Sequence, residues 1–211
     1  MVLREGLRWL WILGLCLVAS NSLSLPSIRD REFIQQCVDI HNEMRGKVSP
    51  PAADMKHMVW EVKLAKLAKS WADKCKYEHN VCLPKRYGCH PDFDHVGENI
   101  WLGSLRIFSP RSAVIGWYNE TAFYNFDTLS CSSLCSHYTQ VVWATSYKVG
   151  CAATMCPNLG KSQTVIFVCN YSPAGNYLNQ PPYTKGKFCS MCEEKEVCVK
   201  NLCSKQKKKK A

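Results

Sequence analysis

The stretch CSSLCSHYTQVVWATSYKVGC, residues 131–151, frames one histidine, His137, with three cysteines. Tyr138, Thr139 and Gln140 follow the histidine, and then the apolar Val141, Val142 and Trp143. Its far end runs into YKVGCAAT, rich in β-branched and aromatic residues, and QTVIFVCNY repeats that character downstream. Turn residues between the two (Pro157, Asn158, Gly160) predict an antiparallel hairpin. A histidine placed just before such strands has three chemical readings. It is a catalyst, a metal ligand, or a polar group tied into a stapled core.

Upstream, the periodicity changes. REFIQQCVDIHNEMRG sets Phe33, Cys37, Ile40, His41 and Met44 on one helical stripe, with Gly46 as its stop. SPPAADM is a loop. VWEVKLAKLAKSWADKCKY then gives a second stripe through Trp60, Leu64, Leu67, Ala68, Trp71 and Cys75. A third helix is signalled by Ser109 as cap, Pro110 as first residue, and Ala113, Val114, Trp117 and Tyr118 turned inward. GENIWLG reads as a short strand. Helices mixed with antiparallel strands predict a layered α+β domain. There is no internal repeat.

The ends read differently. Arg4 and Arg8 precede LWILGLCLVAS, too short to span a bilayer, and small residues follow; residues 1–22 are expected to be a secretory leader. No later run reaches transmembrane length, and the lysine-rich end does not resemble a lipid-anchor signal. Removal of the leader takes Cys16 with it, so 13 of the 14 cysteines remain. That density fits an oxidising compartment. The odd count leaves one thiol over, and Cys37, on an apolar helical face, is the candidate.

The chain is expected to divide into a main domain at 23–184, a cysteine-rich hinge at 185–204 and a basic tail at 205–211. SPAGNYLNQPPYTKG reads as a linker into the hinge, where four cysteines crowd CSMCEEKEVCVKNLC. The net charge of +10 is concentrated at that end, where nine lysines between Lys185 and Lys210 face three glutamates. A nucleic-acid reader would carry its basic face on the folded body, so nucleic acid is not expected as a partner. The tail suits a solvated surface with weak affinity for anionic lipid or sulfated glycan.

Several motifs appear together in one order: HNEMRG, CKYEH, GENIW, WYNE, HYTQVVWATS and IFVCNYSPAGNY. This series resembles the CAP superfamily of cysteine-rich secretory, antigen 5 and pathogenesis-related 1 proteins, over roughly Phe33 to Cys203. The short four-cysteine hinge is most similar to the glioma pathogenesis-related-like branch. One departure is Ser136, where the family usually has glycine. The resemblance implies a three-layer α-β-α sandwich and a cleft lined by two histidines and two acids. These fall on His79, Glu98, Glu120 and His137.

Two neutral imidazoles, each oriented by an acid, are ligands for a divalent metal such as Zn²⁺. Two ligands predict weak binding at His79 and His137, with Glu98 and Glu120 as cleft acids. The alternative is that both rings are hydrogen-bonded core groups. No H-E-x-x-H is present, and Ser136 lacks a nucleophile-elbow setting, so no enzyme is expected and proteolysis is disfavoured. His41 reads as structural. His90 and His95 read as loop surface, a rival metal cluster only if that loop folds towards the cleft.

Tyr118, Phe123 and Phe126 are an aromatic set that core packing explains more readily than a sterol or fatty-acid site, which the resemblance also allows. Asn119 and Asn170 head glycosylation sequons. Asn119 is the expected acceptor, and Asn170, within a predicted core strand, is expected to stay bare. By resemblance, bridges are expected for Cys151–Cys169, Cys75–Cys156, Cys189–Cys198 and Cys192–Cys203, with Cys82–Cys89 and Cys131–Cys135 suggested by proximity. The resemblance further implies a secreted, monomeric, non-enzymatic binding module. Its partner would be a cell-surface protein or glycan, with sperm–egg contact or innate defence as settings and a sterol carrier as the alternative.

Overall fold

The structure, a computed structural model, describes residues 25–160 and 163–205. The leader expected at 1–22 and the tail beyond residue 205 lie outside the described residues.

Strand β6 (Thr164–Ser172) organises the rest, because all nine of its residues are buried. It lies inside a four-stranded sheet in which β1 (Val59–Trp60), β5 (Lys148–Met155), β6 and β2 (Gly97–Ser104) are neighbours in that order. β5 and β6 pair antiparallel with Cys151 opposite Cys169, which is the hairpin read from sequence. β2 pairs antiparallel with β6 and sets Glu98 opposite Asn170. β1 runs parallel to β5.

Successive residues of a strand point to opposite faces, and each face of this sheet has its own helical cover. α2 (Val62–Ala72) puts Ala68, Trp71 and Ala72 against Ile100, Ala152, Ile166 and Val168. α1 (Arg31–Arg45), α3 (Pro110–Tyr118) and α4 (Ser136–Val141) lie on the other side, where Phe33, Cys37, Val114, Trp117 and Tyr138 meet Val149, Val165, Phe167 and Tyr171. The result is an α+β, three-layer α-β-α sandwich. α2 comes so close that a Cβ on Gly150 would lie 2.1 Å from the Ala65 nitrogen.

Helix ends follow their local chemistry. The Asp30 side chain accepts from the N–H groups of Glu32 and Phe33, and Ser109 and Ser112 form a capping box before α3. The second helix is shorter than its apolar stripe. Trp60 belongs to β1, Glu61 caps the start of α2, and Asp73 ends it. Cys75 lies beyond, at φ 51°, where its bridge to Cys156 holds it.

The cysteines form six bridges, Cys75–Cys156, Cys82–Cys89, Cys131–Cys135, Cys151–Cys169, Cys189–Cys198 and Cys192–Cys203. Cys37 is free and buried. The segment read as a linker is held against the body instead. Tyr183 is buried, the Pro182 carbonyl accepts from Ala144 N–H, and the Thr184 carbonyl accepts from Ala53 N–H. The hinge pairs β7 (Glu196–Val199) with β8 (Leu202–Lys205) and inserts Leu202 and Cys203 into the core. Lys56 ties it down through Glu193 and Glu196. An extended chain with many backbone polar groups is stable in such a place only when they are paired, and composition does not reveal that pairing.

Candidate functional site

Glu98 is the second residue of β2 and Glu120 lies in the 3-10 turn Asn119–Phe123 that follows α3. Each takes hold of one histidine in the same way. Glu98 Oε1 accepts from His79 Nδ1 at 2.9 Å and from the Asn80 N–H at 2.9 Å. Its Oε2 accepts from Asn170 Nδ2 at 3.2 Å. Glu120 Oε1 accepts from His137 Nδ1 at 2.6 Å, and its Oε2 from the N–H groups of His137 at 3.0 Å and Tyr138 at 3.3 Å. A carboxylate can only accept, so each ring carries its proton on Nδ1. Nε2 is then the nitrogen available to a ligand.

Glu120 has a second task. α4 begins after Cys135, which offers no side-chain cap. The first N–H groups of a helix have no partner within it, and Glu120 supplies one for those of His137 and Tyr138. The negative carboxylate also suits the positive end of the helix.

The pairs differ in their surroundings. The His79 side chain is 63% exposed over a Glu98 side chain at 0%. The His137 and Glu120 side chains are 17% and 15% exposed. The His137 ring stacks on Trp117 at 6.1 Å, which stacks in turn on Phe167 at 5.7 Å. The hydrogen bond to Glu98 raises the pKa of His79 above its ordinary value.

Asn99, the neighbour of Glu98 on β2, points to the opposite face. Its Nδ2 donates to the His137 carbonyl at 3.1 Å and to the Tyr171 hydroxyl at 3.4 Å. That hydroxyl donates to His41 Nε2 at 2.9 Å, while His41 Nδ1 donates to the Cys37 carbonyl at 2.6 Å. Burial lowers the pKa of His41 to about 4, so the ring is neutral and structural. Gln140 backs the same region. It lies so close to the start of β2 that a Cβ on Gly97 would sit 2.1 Å from Gln140 Oε1.

Arg45 was not singled out in sequence. It is fully buried, and its guanidinium donates to the carbonyls of Lys56, Val141, Trp143 and Ala144. It thereby fixes the chain that leaves α4. The signal was present: Arg45 lies four residues after His41, on the same helical stripe.

The other expected residues fall elsewhere. His90 and His95 pair loosely with Asp92 and Asp94 at 4.0 and 3.4 Å, and no third donor joins either pair within 4.8 Å among the described residues. The aromatic set does not share one surface. Tyr118 packs on Tyr138 and Phe126 on Tyr183, while Phe123 is exposed. Phe123 and Phe126 line a shallow groove of about 570 Å³ with Ser130 and Ser132. Asn119 is exposed and Asn170 fully buried. The sulfurs of Cys189, Cys192 and Cys203 do cluster within 4.8 Å. They are bridged sulfurs rather than thiolates, which explains the cluster without a metal.

An α-β-α sandwich with two acid-anchored histidines, one on a loop after α2 and one on α4, is the arrangement by which this domain is classed. Residues 38–171 match the cysteine-rich secretory protein family model, CAP. The chain belongs to that family. It is 61% identical over 203 residues to human GLIPR1-like protein 1, covering 96% of this chain and 84% of the relative. It is 36% identical over 205 residues to human peptidase inhibitor 15, covering 87% and 76%. The solved structure of NaASP2 with Zn²⁺ is similar at a TM-score of 0.67 and 28% identity, covering 86% of this chain and all of that one.

Proposed function

We propose that this chain is a secreted, non-enzymatic binding module that holds a divalent cation weakly through Nε2 of His79 and of His137 and captures a cell-surface protein or glycan. The observation that carries the reading is the double anchoring. Each Nδ1 is committed to an acid, which fixes the tautomer and leaves Nε2 as the nitrogen free to bind, as the carboxylate partner of a metal-binding histidine does. The likeness to NaASP2, solved with Zn²⁺, supports the choice of ion. Bound there, Zn²⁺ would supply a cationic point that orders the loop after α2 and the start of α4. Two protein ligands suit weak, exchangeable binding rather than the three-ligand set of a catalytic zinc.

Neither pair touches a serine, threonine or thiol nucleophile in the hydrogen bonds described, and this supports a role without turnover. No helix of the described residues is long and apolar enough to cross a membrane. Six bridges support an oxidising, extracellular setting, in which gamete contact is the partner context implied by the family resemblance.

Titration calorimetry with Zn²⁺ tests this. The unmodified protein is expected to bind, and His79→Ala and His137→Ala are each expected to lose at least about tenfold in affinity, in line with removal of one ligand. Equal binding by all three proteins would show that the ion is held elsewhere.

A further inference from the structure

We propose that the Cys131–Cys135 bridge is a thiol–disulfide exchange site, opened by a protein dithiol that reaches Cys131 Sγ from the groove beside it. Its two halves differ. Cys131 is exposed, whereas Cys135 is buried just before α4. An attacking thiolate needs access to one sulfur only, and Cys131 offers it. Cys131 also lines the shallow groove of about 570 Å³, together with Ala122, Phe123, Phe126 and Ser132. Phe123 is 44% exposed there and gives an incoming chain an apolar seat next to the sulfur.

The other bridges are placed differently. Cys151, Cys169 and Cys156 have no exposed surface. Cys82 and Cys89 are both half-buried. In the hinge Cys198 is exposed, but it lies opposite Cys203 in the β7–β8 pair, and two bridges hold that pair together. Cys131–Cys135 also closes the shortest loop, with a separation of 4 residues against 7 to 81 for the rest. The stabilisation a bridge gives its fold grows with the loop it closes, so opening this one costs the fold least. The segments it joins keep other ties. The Ser132 N–H donates to the Phe123 carbonyl at 2.9 Å, and the Thr139 N–H to the Cys135 carbonyl at 3.1 Å. Glu120 still accepts from the first N–H groups of α4. None of these bonds passes through sulfur, so the exchange stays local.

The thiol comes from outside the chain. Cys37 is the free cysteine among the described residues, and its burial both hides the sulfur and pushes its thiol pKa up. A thiolate of the partner attacks Cys131 Sγ. A new S–S bond forms, the Cys131–Cys135 bond breaks, and Cys135 leaves as a thiolate that takes a proton from water. Cys135 remains tethered beside the mixed disulfide, so its effective concentration is high and a single thiol is soon expelled again. A second thiolate on the same partner makes opening complete. It attacks the partner's own sulfur, and Cys131 leaves as a thiolate that is protonated in turn. The bridge gains two electrons and two protons, and the partner's dithiol is oxidised to a disulfide.

The test uses the full secreted chain with its bridges intact, incubated with excess reduced thioredoxin or, separately, with dithiothreitol. Free thiols are alkylated at intervals and mapped by mass spectrometry, while near-ultraviolet circular dichroism follows the folded core. Cys131 and Cys135 are expected to be alkylated together, at least about tenfold faster than any other bridged pair, with the dichroism unchanged. Phe123→Ser is expected to slow the thioredoxin reaction several-fold and to leave the dithiothreitol reaction as it was, since only a protein needs the seat. Earlier opening of another pair would overturn the proposal, as would opening of all six together with loss of the dichroism. Opening by dithiothreitol with none by thioredoxin would overturn the choice of a protein dithiol. A Phe123→Ser effect on both reactions, or on neither, would remove the groove from the site.

Discussion

Glu98 and Glu120 each accept three N–H bonds, one of them from Nδ1 of a histidine, yet they serve opposite environments. Glu98 is sealed beneath an exposed His79, and its third donor, Asn170, comes from the central strand. Glu120 receives all its bonds from the first turn of α4, with Trp117 stacked against the ring it holds. The first pair is a buried anchor beneath an exposed ring. The second is a helix cap beneath a shielded ring. One geometry thus holds an exposed histidine on the loop after α2 and a sheltered one on α4.

The sheltered side depends on buried polar groups, and the largest effect is expected there. Arg45→Met leaves the carbonyls of Lys56, Val141, Trp143 and Ala144 without their donor. A buried unsatisfied acceptor costs about 1–3 kcal/mol, so urea denaturation with bridges intact should show a loss of at least about 3 kcal/mol. A loss under about 1 kcal/mol would mean that the segment after α4 is held by other contacts, and the contrast between the two sides would weaken.

Acid is expected to load the two sides in opposite directions. The pKa of His41 falls from 6.5 to about 4 because burial opposes its charge. The unfolded chain therefore binds more protons between those values. The stability His41 contributes is present above about pH 6.5 and is lost as pH falls towards 4, roughly 3 kcal/mol in all. His79 has the reverse sign. Its raised pKa makes the Glu98 pair strongest below the unfolded value and weaker as pH rises through the folded one. Urea midpoints should therefore fall on acidification. His41→Gln should flatten that slope, and imidazole NMR should show His79 titrating above an ordinary histidine.

The carboxylates can be compared directly. Glu98→Gln puts an amide hydrogen against one of the three donors around this buried side chain and is expected to cost about 2 kcal/mol, the scale of a hydrogen bond to a charged group. It should also return His79 to an ordinary pKa. Glu120→Gln, partly open to water, is expected to cost about half as much. A larger cost at Glu120 would show that capping α4 outweighs the burial of Glu98.

The layered fold, the β5–β6 hairpin and the cap at Ser109 were legible because each rests on local periodicity or a local hydrogen bond. The identity of His79, Glu98, Glu120 and His137 was legible only through motif order. Their chain separation hides the pairing. Asn99, Tyr171 and Arg45 were not read, since a polar residue inside an apolar strand or stripe gives no sign of its partner until the layers meet. The supposed linker failed for the same reason. Tyr183 and the carbonyls of Pro182 and Thr184 find their contacts in the loop around Ala53 and in Ala144, far away in sequence.

The smallest effect is the most discriminating. Tyr171→Phe removes the hydroxyl that lies between His41 Nε2 and Asn99 Nδ2, and one such bond is worth about 1 kcal/mol. Asn99 then holds the His137 carbonyl with one fewer restraint, on the face of the sheet away from Glu98. Zinc affinity should weaken by a few-fold, since about 1 kcal/mol corresponds to roughly fivefold. The His79 titration should stay where it was, because none of the bonds to Glu98 runs through Tyr171. If the variant instead moved the His79 pKa, the two pairs would be coupled through Glu98 and Asn99 on β2, and they would have to be treated as one site rather than two.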